Sequence, residues 1–188
     1  MPYTQDQHFS KTDYAKIPFP KGEYENCRFT SCEFSGTDLS GIIFSGCEFI
    51  GCNISLANLN KSAFREVKFN ECKMLGLRFE DCNGIGLSFS FDGCNLEHSS
   101  FFRNKIKNTK FKNCSLKEVN FSDCDLSLSL FDNCDLSYAV FDNTILEKAD
   151  FKTSFNFSID PEGNKIRKAK FSSAGLSGLL TKYELEIS

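Results

Sequence analysis

The feature that most constrains this chain is a hydrophobic residue at every fifth position. This ladder runs from Tyr24 to Phe79 and resumes, two residues out of phase, from Phe91 to Phe151. All ten cysteines lie two residues before a ladder position, where alanine, serine, threonine and valine also occur. A period of five matches neither an α-helix nor a β-strand, whose side-chain periods are about 3.6 and 2. It predicts a chain that turns a corner every five residues, with both positions pointing into a solenoid.

Ladder residues of one type recur at a spacing of 20, which indicates four sides in each coil. One column reads Phe29, Phe49, Phe69 and Phe89 before the shift in phase, and Phe111, Phe131 and Phe151 after it. The core ladder of the second half includes Phe91, Phe111, Phe121, Phe131, Phe141 and Phe151. Stacked coils pair their backbones as parallel strands do, which satisfies the buried amides. The sequence therefore predicts an all-β, four-sided (quadrilateral) parallel β-helix.

The ladder divides the chain into three parts. The β-helix is predicted over residues 19–155, and the polar residues 1–18 are predicted to form a loose tail or a short cap. A bulge is expected near residues 84–93, because Gly84 stands at a ladder position and two extra residues enter this coil. The bulge is either a structural joint between two half-rods or a binding loop.

Residues 156–188 are predicted to form a turn, a short helix and an edge strand. The turn is Asp160-Pro-Glu-Gly-Asn164, the basic run 165–170 is a solvated connection, the helix spans 173–182 and the strand 183–187. A β-helix end exposes strand edges that need a cover. The apolar residues expected to cover it, and to join two chains in a C2 dimer, are Leu176, Leu179, Leu180, Tyr183, Leu185 and Ile187.

The residue types that support catalysis are poorly placed. The cysteines point inward, His8 lies in the terminal segment, and His98 is an outward residue with no obvious partner. The cysteine spacings lack a Cys-x-x-Cys pair and no Gly-rich phosphate loop occurs, so no enzyme, metal site or cofactor is predicted. Small buried cysteines fit reduced thiols in a cytoplasmic protein. The sequence shows neither an apolar stretch of about 20 residues nor a signal peptide, so no membrane contact is expected.

Charge is concentrated in two consecutive stretches. The acidic stretch 118–150 contains Glu118, Asp123, Asp125, Asp132, Asp135, Asp142, Glu147 and Asp150, with Lys148 as its one base. The basic stretch 103–117 contains Arg103, Lys105, Lys107, Lys110, Lys112 and Lys117, with no acid. One interpretation is a set of solubilising faces whose charges pair between coils. The other is a negative stripe that imitates the phosphate backbone of DNA.

Several repeats resemble the A(D/N)LXX motif of the pentapeptide-repeat family. Examples are Cys124-Asp-Leu-Ser-Leu, Cys134-Asp-Leu-Ser-Tyr and Ala149-Asp-Phe-Lys-Thr. The resemblance covers about three quarters of the chain and implies a right-handed quadrilateral β-helix. More narrowly, the Phe-rich and Cys-rich repeats and the segments 159–171 and 175–187 resemble those of the Qnr-type quinolone-resistance proteins.

The Qnr-type resemblance implies a non-enzymatic protein that dimerises through its C-terminal element. It further implies binding to DNA gyrase or topoisomerase IV as a DNA mimic, with protection from quinolones or toxins and no direct contact with nucleic acid. The acidic residues of 118–150 are then the candidate partner-binding residues. Qnr-type proteins usually carry projecting loops, whereas this repeat is interrupted only by the bulge near 84–93. The alternative is a scaffolding solenoid that binds another protein through a flat face.

Overall fold

The structure, a computed structural model, describes residues 2–186. The predicted fold is confirmed: the chain forms a right-handed, four-sided parallel β-helix. Its strands are β1 (Tyr3–Gln5), β2 (His8–Ser10), β3 (Glu23–Glu25), β4 (Arg28–Thr30), β5 (Ile43–Ser45), β6 (Glu48–Ile50), β7 (Ala63–Arg65), β8 (Val67–Asn70), β9 (Phe89–Asp92), β10 (Lys110–Lys112) and β11 (Leu130–Asp132). A 3₁₀ turn lies at Phe79–Asp81. None of the helices within residues 2–186 is long and apolar enough to cross a membrane.

Each coil has four faces, which we number in chain order. In one coil, the inward ladder residue of face 1 is Tyr24, that of face 2 Phe29, that of face 3 Phe34 and that of face 4 Leu39. A parallel sheet in the order β1-β3-β5-β7 lies on face 1, and a sheet in the order β11-β10-β9-β8-β6-β4-β2 lies on face 2. Isolated bridges connect successive coils on faces 3 and 4. Residues 20 apart are therefore neighbours, or 22 apart across the bulge.

The core of face 2 is a continuous stack of nine phenylalanines, with successive ring centroids 4.5–5.3 Å apart. Its members are Phe9, Phe29, Phe49, Phe69, Phe91, Phe111, Phe131, Phe151 and Phe171. These spacings follow the strand separation of about 4.8 Å, because each ring lies above the ring of the previous coil. The predicted core ladder, including Phe121 and Phe141 on face 4, is buried.

The corners of the coil depend on a left-handed residue two places after most ladder positions. Gly36 has φ of +64°, and the Thr37 amide donates to the Phe34 carbonyl at 3.0 Å. This is the hydrogen bond of a type II turn, whose third residue requires positive φ. Asparagine and glycine are frequent at this position because they tolerate it most easily.

The bulge places Phe89 in a column other than the predicted one. Phe69 pairs with Phe91, and Val67 pairs with Phe89, so the two extra residues enter before Phe89. Phe89 therefore occupies a position that is small in other coils. Its ring lies 5.3 Å from Phe79 and 5.1 Å from Phe91.

The segment predicted as a tail or cap forms the first coil. Strands β1 and β2 pair in parallel with β3 and β4. Phe9 stacks on Phe29 at 4.9 Å, and Tyr14 stacks on Phe34 at 4.8 Å. The ladder therefore extends back through residues 4, 9, 14 and 19. The polar Thr4 and the prolines at 18 and 20 conceal it in the sequence.

The β-helix also continues beyond its predicted end at residue 155. Bridges join Ile145 to Lys165 and Asp150 to Lys170, so the basic run 165–170 is part of a coil and not a loose connection. The predicted helix region forms 3₁₀ helices at Ser173–Leu179 and Thr181–Tyr183. The predicted edge strand is wrong for residues 183–186, where the chain leaves the second 3₁₀ helix through Glu184 at φ +49°. Ile187 lies outside the described residues.

Candidate partner-binding surfaces

The eight acidic residues of the stretch 118–150 do not share one face, because a coil of 20 residues distributes any such stretch over all four sides. Two lie on each face. Asp125 and Glu147 lie on face 1, Asp132 and Asp150 on face 2, Glu118 and Asp135 on face 3, and Asp123 and Asp142 on face 4. The structure thus brings these residues together in pairs and does not form the single negative stripe considered from the sequence.

Most of these acids are paired with a base. The pairs are His98–Glu118, Arg103–Asp123, Lys107–Asp125, Lys117–Asp135, Arg167–Glu147, and Lys152 and Lys170 with Asp150, at 3.1–3.6 Å. Partial burial acts to raise the pKa of Asp125, but hydrogen bonds from Ser127 and the ion pair with Lys107 outweigh it and lower the pKa. Three bases of the stretch 103–117 (Arg103, Lys107 and Lys117) therefore pair with acids of the coil that follows it. Each exposed pair contributes less than about 1 kcal/mol.

Across residues 95–170 the charges separate by face. Faces 3 and 4 form an acidic side, with Glu97, Glu118, Asp123, Asp135, Asp142, Asp160 and Glu162 against Arg103 and Lys117. Faces 1 and 2 form a basic side, with Lys105, Lys107, Lys110, Lys112, Lys148, Lys152, Lys165, Arg167, Lys168 and Lys170 against Asp125, Asp132, Glu147 and Asp150. This part of the β-helix therefore has one acidic side and one basic side.

The C-terminal end presents an apolar patch. Of the predicted dimer residues, Leu176, Tyr183 and Leu185 are exposed, Leu179 packs against the core and Leu180 is half-buried. Two further aromatic residues that were not predicted from the sequence, Tyr138 and Phe155, are 83% and 45% exposed. The sequence signal that could have identified them is an aromatic residue at a position of the repeat that points outward.

An open groove of about 1220 Å³ runs beside the contact between the last coils and the C-terminal 3₁₀ helices. Its lining includes Tyr138, Phe155, Phe157, Leu180 and Leu185. The C-terminal element thus leaves apolar surface accessible beside it. We refer to Tyr138, Phe155, Leu176, Tyr183 and Leu185 as the end patch.

The C-terminal element is held on the coil by close packing and by charge. A Cβ at Gly178 would overlap the Phe157 carbonyl, so glycine permits this approach. Lys182 Nζ lies 2.7 Å from an Asp160 oxygen and 2.6 Å from a Glu162 oxygen. The Lys182 ammonium lowers the pKa of both carboxyl groups, and their charges raise the pKa of Lys182.

The cysteines offer no accessible nucleophile. All ten are free thiols, and nine are buried, with Cys82 half-buried. Burial raises the pKa of Cys47 and of Cys124 to about 12, so these thiols remain protonated near neutrality. Within residues 2–186, no group of three or more His, Cys, Asp or Glu side chains has a geometry that holds a metal ion.

A four-sided coil with one small and one large inward residue per side defines a β-helical repeat protein. The outward residues of its flat faces differ from coil to coil. The chain belongs to the pentapeptide repeat family: the family's profile for the pentapeptide repeat region matches residues 23–90 and 87–155. No curated protein sequence matches the chain significantly.

Solved structures of this fold align over almost the whole chain. Full-length QnrB1, a plasmid-mediated fluoroquinolone resistance protein, has a TM-score of 0.64 at 17% identity, covering 98% of this chain and 100% of QnrB1. A trypsin-treated QnrB1 variant has a TM-score of 0.50 at 20% identity, covering 98% and 99%. HetL, a pentapeptide repeat protein involved in heterocyst differentiation regulation in the cyanobacterium Nostoc sp. strain PCC 7120, has a TM-score of 0.40 at 18% identity, covering 89% and 86%.

Proposed function

We propose that this protein is a non-enzymatic binding partner of a type II topoisomerase, DNA gyrase or topoisomerase IV. The observation that carries the proposal is the likeness to QnrB1, which extends over 98% of this chain and 100% of that structure. The capped C-terminal end is therefore included as well as the repeat. Because QnrB1 is a fluoroquinolone resistance protein and quinolones act on these enzymes, the same target class is proposed here.

The acidic side is the surface proposed to meet the topoisomerase. DNA-binding enzymes present basic surfaces to the phosphate backbone, and a rigid row of carboxylates can occupy such a surface in place of DNA. Asp142 has no ion-pair partner among residues 2–186, whereas Asp123 is 3.6 Å from Arg103. Faces 3 and 4 together, and not the stretch 118–150 as a whole, therefore define the candidate DNA-mimicking surface.

A second copy of the chain is proposed to cover the end patch. Leu176, Tyr183 and Leu185 lie at the end of the rod and expose apolar surface. A two-fold axis beside this end would bury the patch against itself and continue the acidic side into a longer rod. The nine-ring stack alone spans about 40 Å at roughly 4.8 Å per coil.

Gyrase supercoiling assays with and without ciprofloxacin test the topoisomerase proposal. The protein is expected to be retained by immobilised gyrase or topoisomerase IV and to change the ciprofloxacin concentration that inhibits supercoiling. The variant Asp123→Lys/Asp142→Lys is expected to lose this effect by about tenfold or more, because it reverses charge on the acidic side. Retention by neither enzyme, with supercoiling unchanged, would reject the proposal.

The matched control is Asp132→Lys/Glu147→Lys on faces 2 and 1. Both double variants change the net charge by the same amount. Each also replaces one ion-paired and one unpaired acid: in the control, Glu147 is paired with Arg167 at 3.5 Å and Asp132 has no ion-pair partner among residues 2–186. The control is expected to be retained by the immobilised topoisomerase, in the absence of DNA, as well as wild type is. Equal loss in both variants would show that total charge, and not the acidic side, determines binding.

A further inference from the structure

We propose that the basic side is a second binding surface, which contacts the phosphate backbone of duplex DNA. The proposal goes beyond the topoisomerase function and does not depend on it. Eight bases of this side form two rows. The lower basic rung consists of Lys105, Lys107, Lys110 and Lys112, and the upper basic rung of Lys165, Arg167, Lys168 and Lys170. Each rung runs across the corner between faces 1 and 2 within one coil.

Most of these bases are available to a ligand. Lys112 is half-buried, and the other seven are exposed. Only Lys107, Arg167 and Lys170 have an ion-pair partner among the described residues, at 3.1, 3.5 and 3.4 Å. The remaining five cations face solvent on a rigid backbone, so a polyanion would replace water and counterions without breaking ion pairs.

The spacing of the two rungs favours a double helix. They are three coils apart, and the ring centroids from Phe111 to Phe171 are separated by 5.0, 4.5 and 5.3 Å. The rungs therefore lie about 15 Å apart, close to the major groove width of about 12 Å. Each rung can then contact one of the two phosphate backbones that border the groove.

The residues between the rungs fit the same arrangement. The two intervening coils carry Lys148 and Lys152 as well as four acids, Asp125, Asp132, Glu147 and Asp150, so these coils have a net negative charge on this side. In the proposed complex they face the open groove, where no phosphate is present, and repulsion is limited. Two basic rungs separated by acidic coils match two phosphate backbones separated by a groove. The negative charges of an acidic protein surface are not arranged in two such rows, so duplex DNA is favoured over an acidic protein. The net charge of −3 conceals this separation. Direct contact with DNA differs from what the resemblance to Qnr-type proteins implies.

The test is fluorescence anisotropy with a labelled duplex of about 25 base pairs and the purified full chain, at several salt concentrations and without any topoisomerase. If five to eight phosphates are contacted, log Kd should change with log salt with a slope of about 4–7. Lys105→Gln/Lys110→Gln and Lys165→Gln/Lys168→Gln each remove one pair of contacts. Each should weaken binding about tenfold or more at low salt and reduce the slope by about 1.8.

Lys61→Gln/Lys73→Gln is the matched control, because these lysines are exposed, lie on faces 4 and 3 and have no ion-pair partner among residues 2–186. It should bind DNA as wild type does. All variants alter exposed side chains, and unchanged melting temperatures would verify their folding. No duplex binding at 50 mM salt, equal weakening by the control, or tighter binding of polyglutamate than of DNA would each overturn the proposal. Failure here leaves the gyrase assay unaffected, so the two proposals are tested separately.

Discussion

At the residue scale, the corners impose the strictest local demand of this fold. Leu128 has φ of +65° and a side chain that is 53% exposed. A left-handed conformation costs a residue with a Cβ about 1–2 kcal/mol, and the exposed leucine recovers little by packing. We expect Leu128→Gly to raise the free energy of unfolding by about 0.5–1 kcal/mol, after the entropy that glycine loses on folding. Urea denaturation measures this change.

Ser127→Gly is the control for this prediction, because Ser127 is adjacent to Leu128 but is not among the positive-φ residues. Glycine there gains no relief of strain and loses the hydrogen bond from Ser127 Oγ to Asp125, so it should destabilise the protein by about 1 kcal/mol or more. If both substitutions lower stability equally, positive φ is not the cause of the strain at Leu128.

The buried thiols give a second residue-scale prediction. In the folded protein we expect at most one thiol, that of the half-buried Cys82, to react with Ellman's reagent near pH 8. The pKa of Cys47 and of Cys124 is raised to about 12 by burial, so their thiolates form only at strongly alkaline pH. All ten thiols should react in denaturant. Fast reaction of several thiols before unfolding would contradict this account.

Ladder burial was predictable from the sequence, whereas the partners of surface charges were not. The period of five places Phe111 and Phe131 inward because no other arrangement keeps them out of water. The 20-residue spacing also aligns Lys105 with Asp125, and the structure shows these residues bridged by their backbones. The ion pair of Asp125, however, forms with Lys107 at 3.1 Å. Flexible exposed side chains choose between neighbours of similar energy, so spacing alone cannot select one.

At the element scale, the bulge brings a large side chain to an inward position that is small in the other coils. Phe89 is buried beside Phe79, Phe91 and Phe101 although its column is otherwise small. We expect Phe89→Ala to lower the free energy of unfolding by about 3–5 kcal/mol, as for a fully buried phenylalanine. Thermal or urea unfolding checks this. Phe102→Ala, at a half-buried outward position, is the control and should cost much less.

The C-terminal element is expected to release from the coil at low pH. Lys182 lowers the pKa of Asp160 and Glu162 in the folded state, so their contribution is complete above the ordinary carboxyl range of about 4. It is lost as pH falls below that range and both groups become protonated. The raised pKa of Lys182 works in the opposite sense, and its contribution is lost only above about pH 10. Amide NMR shifts of Gly178 and Tyr183 between pH 7 and pH 2 measure the release.

Lys182→Met should loosen the same element at pH 7 and reduce its response to acid, leaving only the part due to the hydrogen bond from the Tyr183 hydroxyl to Glu162. Lys165→Met removes a lysine that has no ion-pair partner among residues 2–186 and serves as the control. If the Gly178 and Tyr183 shifts move with pH equally in Lys182→Met and wild type, the lysine is not the source of the pH dependence.

At the scale of the whole molecule, the charge pattern is visible only after the chain is coiled. In sequence order, a basic stretch is followed by an acidic one, which suggested a negative C-terminal half. In the structure the two stretches are successive coils, and Lys117 lies 3.4 Å from Asp135. A plot of charge on the 20-residue lattice could have predicted the acidic and basic sides. The end patch could not be predicted in full, because the exposure of Tyr138 and Phe155 depends on where the 3₁₀ helices lie.

The oligomeric state tests the proposed role of the end patch. Leu176 and Leu185 are 50% and 58% exposed at the same end of the rod, and burying them against a second copy would stabilise a dimer by the hydrophobic effect. We expect light scattering after size exclusion to give twice the mass of one chain for wild type, and one chain for Leu176→Ser/Leu185→Ser. The dimer should persist in 0.5 M salt, because apolar burial is not screened. Ile17→Ser/Leu56→Ser alters two exposed apolar residues elsewhere and should leave the dimer intact. A monomeric wild type at about 100 µM would contradict a dimer through the end patch, and dissociation by the control pair would place the dimer interface elsewhere.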